Sequence, residues 1–164
     1  MPRLTIMLLG LLIFSLAPGT VSAQARADGQ YFGTWKLNLA KSNYYGRPMP
    51  KEYWMIVEDR GCGMYYSIVK GTGADGQELM TQYVGRFDKK DYPMLQVRSA
   101  TWGSVVNWLH EPYVTKFTTK QNGKAVTNGT RKVSKDGNIA VVEMTDLQGK
   151  PTTLLWWERV KVTG

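Results

Sequence analysis

The sequence predicts an all-β domain: an antiparallel up-and-down meander of about 8–10 strands, closed into a barrel, behind an N-terminal signal peptide. Three observations carry this reading. Val, Thr, Tyr, Trp and Ile dominate the chain after residue 25, and these residues favour pleated sheet. Turn signals recur at Arg60-Gly61, Asp75-Gly76, Lys89 to Asp91, Asn122-Gly123, Asp136-Gly137 and Gln148-Gly149. The Asn-Gly and Asp-Gly pairs tolerate the positive φ of tight hairpin turns. Between the turns, side chains alternate in character with the two-residue period of a strand.

The leader comes first. Arg3 supplies a positive start, Leu4 to Ala17 an apolar core, and Pro18-Gly19 a break. Small residues follow at Val21-Ser22-Ala23 and Ala23-Gln24-Ala25, so residues 1–25 read as a signal peptide cleaved after Ala23 or Ala25. The apolar run is shorter than the roughly 20 residues of a bilayer span. Residues 26–164 then form one barrel domain, secreted or periplasmic and bacterial.

Strands are expected at 32–39, 52–60, 63–72, 78–87, 92–99, 103–109, 113–121, 124–134, 138–146 and 151–162. Connections this short join only antiparallel neighbours, because a parallel return needs a crossover of a dozen residues or more. A long meander has exposed edges unless it closes, which favours a barrel over a sandwich. In the first strand Trp35, Leu37 and Leu39 share one face. In the second, Tyr53, Met55 and Val57 oppose Trp54, Ile56 and Glu58, and in the fourth Leu79, Thr81, Tyr83 and Phe87 group together. The last strand sets Leu154, Trp156, Glu158 and Val160 against Leu155, Trp157, Arg159 and Lys161. Trp54 and Trp157 are read as left outside. Glu158 is read as facing inward, where a buried carboxylate needs a partner such as Arg86, Arg98 or Arg131.

Gly33 gives the chain room to approach the barrel's closed end, and Trp35 fills the floor with one large ring. "FGTWKLN", Phe32 to Asn38, closely resembles the opening strand of the calycins, which include lipocalins, fatty-acid-binding proteins and avidin-type barrels. "WWERVKV", Trp156 to Val162, resembles their closing strand. Across the mature chain the motifs are similar to those of small, uncharacterised, secreted bacterial lipocalin-like proteins: Gly33 to Ser42, Asp88 to Pro93, Asn122-Gly123-Lys124, Val133 to Gly137 and Gly149-Lys150. The lipocalin pattern implies a late basic residue stacked near the first-strand tryptophan. Arg159 is its match, although its parity sets it opposite Trp156. Gly33, Trp35 and Arg159 are thus expected to form a structural plug. "AKSNYYGRPMPKE" is too short and too rich in proline for the helical lid of fatty-acid-binding proteins. Their ligand-binding arginine and tyrosine set is not carried over to any residue.

Chemistry-bearing groups are sparse. His110 reads as a solvated residue at a strand end, and no nucleophile elbow accompanies it. Cys62 is the only cysteine, expected as a small buried apolar residue, and one Cys with one His offers no metal-ligand spacing. No catalytic residue, metal or cofactor is expected. The net charge of +8 is scattered, with no run of five basic residues, which argues against a nucleic-acid arm and fits an anionic envelope surface or an acidic ligand.

A collective signal remains. Tyr53, Met55, Tyr66, Tyr83, Phe87, Trp108, Tyr113 and Phe117, with Ile68 and Met144, are expected to line one interior, an apolar wall with a few phenolic hydroxyls. The expected function is non-catalytic binding of a small apolar or amphipathic ligand, by a monomer or homodimer. The alternative is a filled barrel acting as an interaction module through exposed aromatics and basic surface.

Overall fold

A computed structural model describes residues 30–97 and 101–161, without the side chains of 101 and 102. The leader, Arg98 and Val162 lie outside the described residues. Ten strands follow in order: β1 (Gly33–Leu37), β2 (Glu52–Gly61), β3 (Met64–Thr72), β4 (Glu78–Gly85), β5 (Asp88–Gln96), β6 (Thr101–Glu111), β7 (Val114–Gln121), β8 (Lys124–Val133), β9 (Ile139–Thr145) and β10 (Pro151–Arg159). The one helical element among the described residues is a 3-10 turn, Leu39–Lys41. Every strand pairs antiparallel with the next, and β1 pairs with both β2 and β10, so the sheet closes into a barrel as the meander predicts.

Local chemistry makes the hairpins tight. Asn122 and Gly123 join β7 to β8 in two residues with φ of 49° and 74°, the left-handed pair that matches strand twist. Cys62 and Gly63 join β2 to β3 with φ of 51° and 73°. That placement corrects the expectation for Cys62, which is exposed in a turn rather than buried. The pairing is uneven around the ring. β2 and β3 stay in register over nearly their whole length, whereas β4 and β5 pair only at Thr81↔Gln96, Gln82↔Leu95 and Tyr83↔Met94.

Register decides which face turns inward, because residues directly opposite on paired strands point to the same side. Trp35 stands opposite both Met55 and Arg159, and Leu37 opposite Trp157. Trp35 and Trp157 are fully enclosed, so this whole row is interior. The last strand is therefore the reverse of the expectation. Trp157 lies in the core, and Arg159 shares the face of Trp35. Glu158 points out, accepting from Asn38 Nδ2 at 2.9 Å and pairing with Lys41 Nζ at 3.3 Å, with none of the expected arginines. Bulky residues on both faces of β10 hid this parity, which its neighbour β1 fixes.

The plug is built in layers at the closed end. The Arg159 guanidinium carbon sits 4.2 Å from the centre of the Trp35 ring. Its nitrogens donate to three carbonyls: Gly137 O at 2.5 Å, Phe32 O at 2.5 Å, and Gln30 O. Trp35 Nε1 donates to Tyr31 O at 3.0 Å, and the Tyr31 ring stacks 6.5 Å from that of Trp35. Gly33, at φ 129°, is required by this arrangement, since a Cβ there would lie 2.4 Å from Arg159 Nη1. The C-terminal end of β10 is thereby tied to the segment that precedes β1.

Arg159→Ala removes the three charge-assisted bonds and the ring contact, and is expected to destabilise the fold by about 2–4 kcal/mol. Trp35→Ala is expected to cost about 3–5 kcal/mol. Urea unfolding followed by tryptophan fluorescence checks both, and Arg159→Lys should recover only part of the loss because one ammonium cannot serve three carbonyls.

Candidate functional site

Above the plug the barrel keeps an open interior of about 280 Å³, near the lower end of the range for small-molecule sites. Its wall is mostly apolar: Met55, Val69, Met94, Val105, Phe117, Val142, Leu155 and Trp157. Tyr31 lies toward the plug, Tyr83 on the β4 wall, and Tyr44, Arg47 and Tyr53 at the mouth. Gly129 makes room for the Phe117 ring, which a Cβ would meet at 2.1 Å.

Inside this wall stands one buried cation. Arg131 of β8 is 6% exposed and lines the cavity. Its guanidinium carbon lies 4.1 Å from the centre of the Tyr31 ring and 5.3 Å from that of Phe117, and Nη1 donates to Thr115 Oγ1 at 3.2 Å. Its Nε has no hydrogen-bond partner. No carboxylate pairs with Arg131 among the described residues. Burial opposes its charge, but the phenol oxygens of Tyr31, Tyr83 and Tyr65 outweigh burial and hold its pKa above the ordinary arginine value. The guanidinium is cationic, as arginine is throughout the ordinary pH range, in a mostly apolar chamber.

The phenols around it stay neutral. Desolvation by burial pushes the Tyr31 and Tyr65 hydroxyls up, and the neighbouring Arg131 charge only partly offsets this. Burial likewise raises Tyr44 and Tyr53 at the mouth. Tyr31 satisfies its hydroxyl on Met55 Sδ at 3.0 Å, while Tyr65 Oη has no partner. Asn107 of β6 is completely enclosed with neither amide atom bonded. Buried polar groups left unpaired are uncommon.

Of the eight residues expected to line a cavity, Tyr53, Met55, Tyr83 and Phe117 do so, as does Met144. Phe87 is interior but belongs to the plugged end, its ring stacked 4.6 Å from that of Tyr65. Tyr66 and Ile68 are on the outer face, because Ser67 and Val69 stand opposite the inward Val57 and Met55. Tyr66 donates there to Gln82 Oε1 at 3.0 Å and lies beneath Arg60. Trp108 is also outside, over a shallow depression shared with Lys116, Thr130 and Glu143, while Asn107 takes the inward position. Tyr113 is the turn residue between β6 and β7, at φ 66°. In the middle of β3 and β6 hydrophobicity points the wrong way, since Ser67 and Asn107 take inward positions there.

Sequence reasoning missed Tyr31 and Arg47, and named Arg131 only as a candidate partner for Glu158. Arg131 carried a usable signal: it alternates in phase with Val133, which the hairpin places inside. His110 is exposed and lies 3.5 Å from Glu111 at the end of β6, away from the cavity wall.

The fold and site together define a ten-stranded antiparallel up-and-down barrel enclosing a lined chamber. No protein-family model and no curated protein sequence matches this chain. Among solved structures it is similar to Echinococcus granulosus fatty-acid-binding protein 1, with a TM-score of 0.60 and 15% identity, covering 81% of this chain and 99% of that one. A likeness at that identity speaks for the fold, which is that of the fatty-acid-binding-protein barrels.

The raised phenols carry a pH prediction. A tyrosine whose folded pKa exceeds its unfolded value of 10.0 stabilises the fold below that pH. Above it the unfolded chain ionises and the native state does not, so stability falls as pH rises. Stability is expected to be level up to about pH 9 and to drop steeply beyond 10, with Tyr65→Phe shallowing the drop. Urea midpoints measured at stepped alkaline pH, beside phenolate absorbance, check this.

Proposed function

We propose that the protein is a non-catalytic carrier, exported by its leader to the periplasm or beyond, that holds a small amphipathic molecule with an anionic head. The observation that carries the reading is Arg131, buried without a carboxylate partner among the described residues in a mostly apolar chamber. A buried charge without a partner costs several kcal/mol, and an acidic ligand would supply that partner through charge-assisted hydrogen bonds. The alkyl part would replace open space against Met55, Val142 and Leu155. The narrower kinship with secreted bacterial lipocalin-like proteins belongs to this proposal, supported by the motif pattern.

A second reading rests on the outer face. Lys36 lies 4.8 Å over the Trp54 ring and Lys41 5.1 Å over that of Trp156. Partly exposed tryptophans beneath lysines, which also pair with Glu52 and Glu158, and a net charge of +8 suit contact with an anionic envelope surface. The open interior favours the carrier over a filled barrel.

Displacement of the fluorescent probe anilinonaphthalene sulfonate by decanoic acid tests the carrier. Saturable, stoichiometric displacement is expected. Arg131→Met should weaken decanoate about tenfold or more while leaving decanol unchanged. Absence of saturable binding by any apolar acid would overturn the proposal.

A further inference from the structure

The cavity has a second cation, at its mouth, that the carrier reading leaves without a task. Arg47 lies on the loop between the 3-10 turn and β2. It lines both the interior chamber and an outer vestibule of about 450 Å³ bounded by Pro48, Pro50, Gly73 and Leu79. Tyr44 and Tyr53 are the other residues common to the two spaces, so Arg47 stands at the boundary between them.

Its guanidinium holds only neutral acceptors. Nη2 donates to Thr152 O at 2.5 Å and to Thr153 Oγ1, and Nε reaches Tyr44 O at 3.5 Å. The Tyr44 ring centre is 5.9 Å away. Among the described residues no carboxylate pairs with Arg47. Asp75, on the vestibule wall, accepts the Gln77 amide at 3.1 Å. Bonds from arginine to an anion are roughly twice as strong as those to neutral oxygen, so a carboxylate arriving at the mouth would compete well for this group.

Register sets the spacing between the two cations. Arg131 is opposite Val142, which is opposite Leu155, whereas Thr153, the anchor of Arg47, is opposite Met144. The Arg47 anchor is therefore one inward row nearer the mouth, roughly 7 Å along the strands. The Arg131 guanidinium leans the other way, over Tyr31, which lengthens the gap. Apolar wall fills the interval, with Met55, Val69 and Leu155 facing it.

We infer that the chamber is built for a two-headed ligand: an apolar chain or ring system with an acidic group at each end, one on Arg131 and the other on Arg47. The inference rests on the carrier reading and narrows its ligand class. The sign of one comparison decides it. In a chamber with a single anion site, a second carboxylate would lose its hydration for nothing, and a diacid would bind more weakly than its monoacid. With Arg47 at the mouth, the diacid binds more tightly.

Titration calorimetry of the full mature chain with decanoic and decanedioic acids reads this directly. The expected result is a diacid preference of about fivefold, the upper range for a half-exposed ion pair. Arg47→Gln should reverse the order, read as the ratio of the two affinities within that variant so that any loosening of the mouth loop cancels, and Arg47→Lys should keep part of the preference. Equal or weaker diacid binding by the parent protein, or a preference that survives Arg47→Gln, would overturn the inference and leave the carrier standing. Failure of both acids to bind would remove the carrier reading and this one with it.

Discussion

A ladder of alternating cations and rings, Arg159 on Trp35, Trp35 against Tyr31, and Tyr31 beneath Arg131, is the constraint on which the rest of this structure depends. Its lower half is structural. Arg159 gathers carbonyls from the segment just before β1 and from the β8–β9 turn, so it joins segments far apart in sequence at the point where the barrel closes. Its upper half is the floor of the chamber. The same stack that plugs one end therefore presents a cation to the interior, and the two roles meet at Tyr31, whose backbone carbonyl serves Trp35 and whose ring serves Arg131.

This arrangement explains how a barrel without a helical lid keeps a chamber. Large rings are spent on the closed end, where Tyr31, Trp35, Tyr65 and Phe87 pack together. The upper wall spaces the rings of Tyr53, Tyr83, Phe117 and Trp157 among Val, Leu, Met and Thr, which leave room between them. The stretch from Ser42 to Lys51, where a lid would be, instead crosses the mouth as a loop. It is tied to β10 by the paired backbone bonds of Asn43 with Leu154 and by the Arg47 side chain. A loop needs fewer residues than a pair of helices and leaves its polar side chains facing the opening.

Much of the architecture was legible in the sequence because hairpin turns have strict chemistry. Asn122-Gly123 and Asp136-Gly137 announce their φ requirements, and the ten strands follow from the spacing between such pairs. The first strand was also legible, since Gly33 and Trp35 have few alternative uses. The faces of β3, β6 and β10 were not. Alternation assumes that one side is apolar, and these strands put Ser67, Asn107 and Arg159 inside while Ile68, Trp108 and Trp156 look outward. Only cross-strand register resolves that ambiguity. The site was hidden for the same reason: its central group is a charged residue at a core position, which a search for apolar linings passes over.

The sparse pairing of β4 with β5 has a mechanical meaning. A closed ring of strands distributes any outward load through every ladder in series, so it yields at the ladder with the fewest rungs. Two ladders have three, β4 with β5 and β1 with β10, but the second is reinforced by the backbone bonds from Asn38 N–H to Trp156 O and from Val160 N–H to Thr34 O and by the Arg159 plug. That leaves the first, whose rungs lie at the end nearer the mouth, while below them the strands part on the way to Asp88. The barrel is consequently a hoop with a defined clasp. Deformation that admits or releases a bulky object concentrates along one seam, and the opposite wall, with β8, β9 and β10 in long register, keeps its shape.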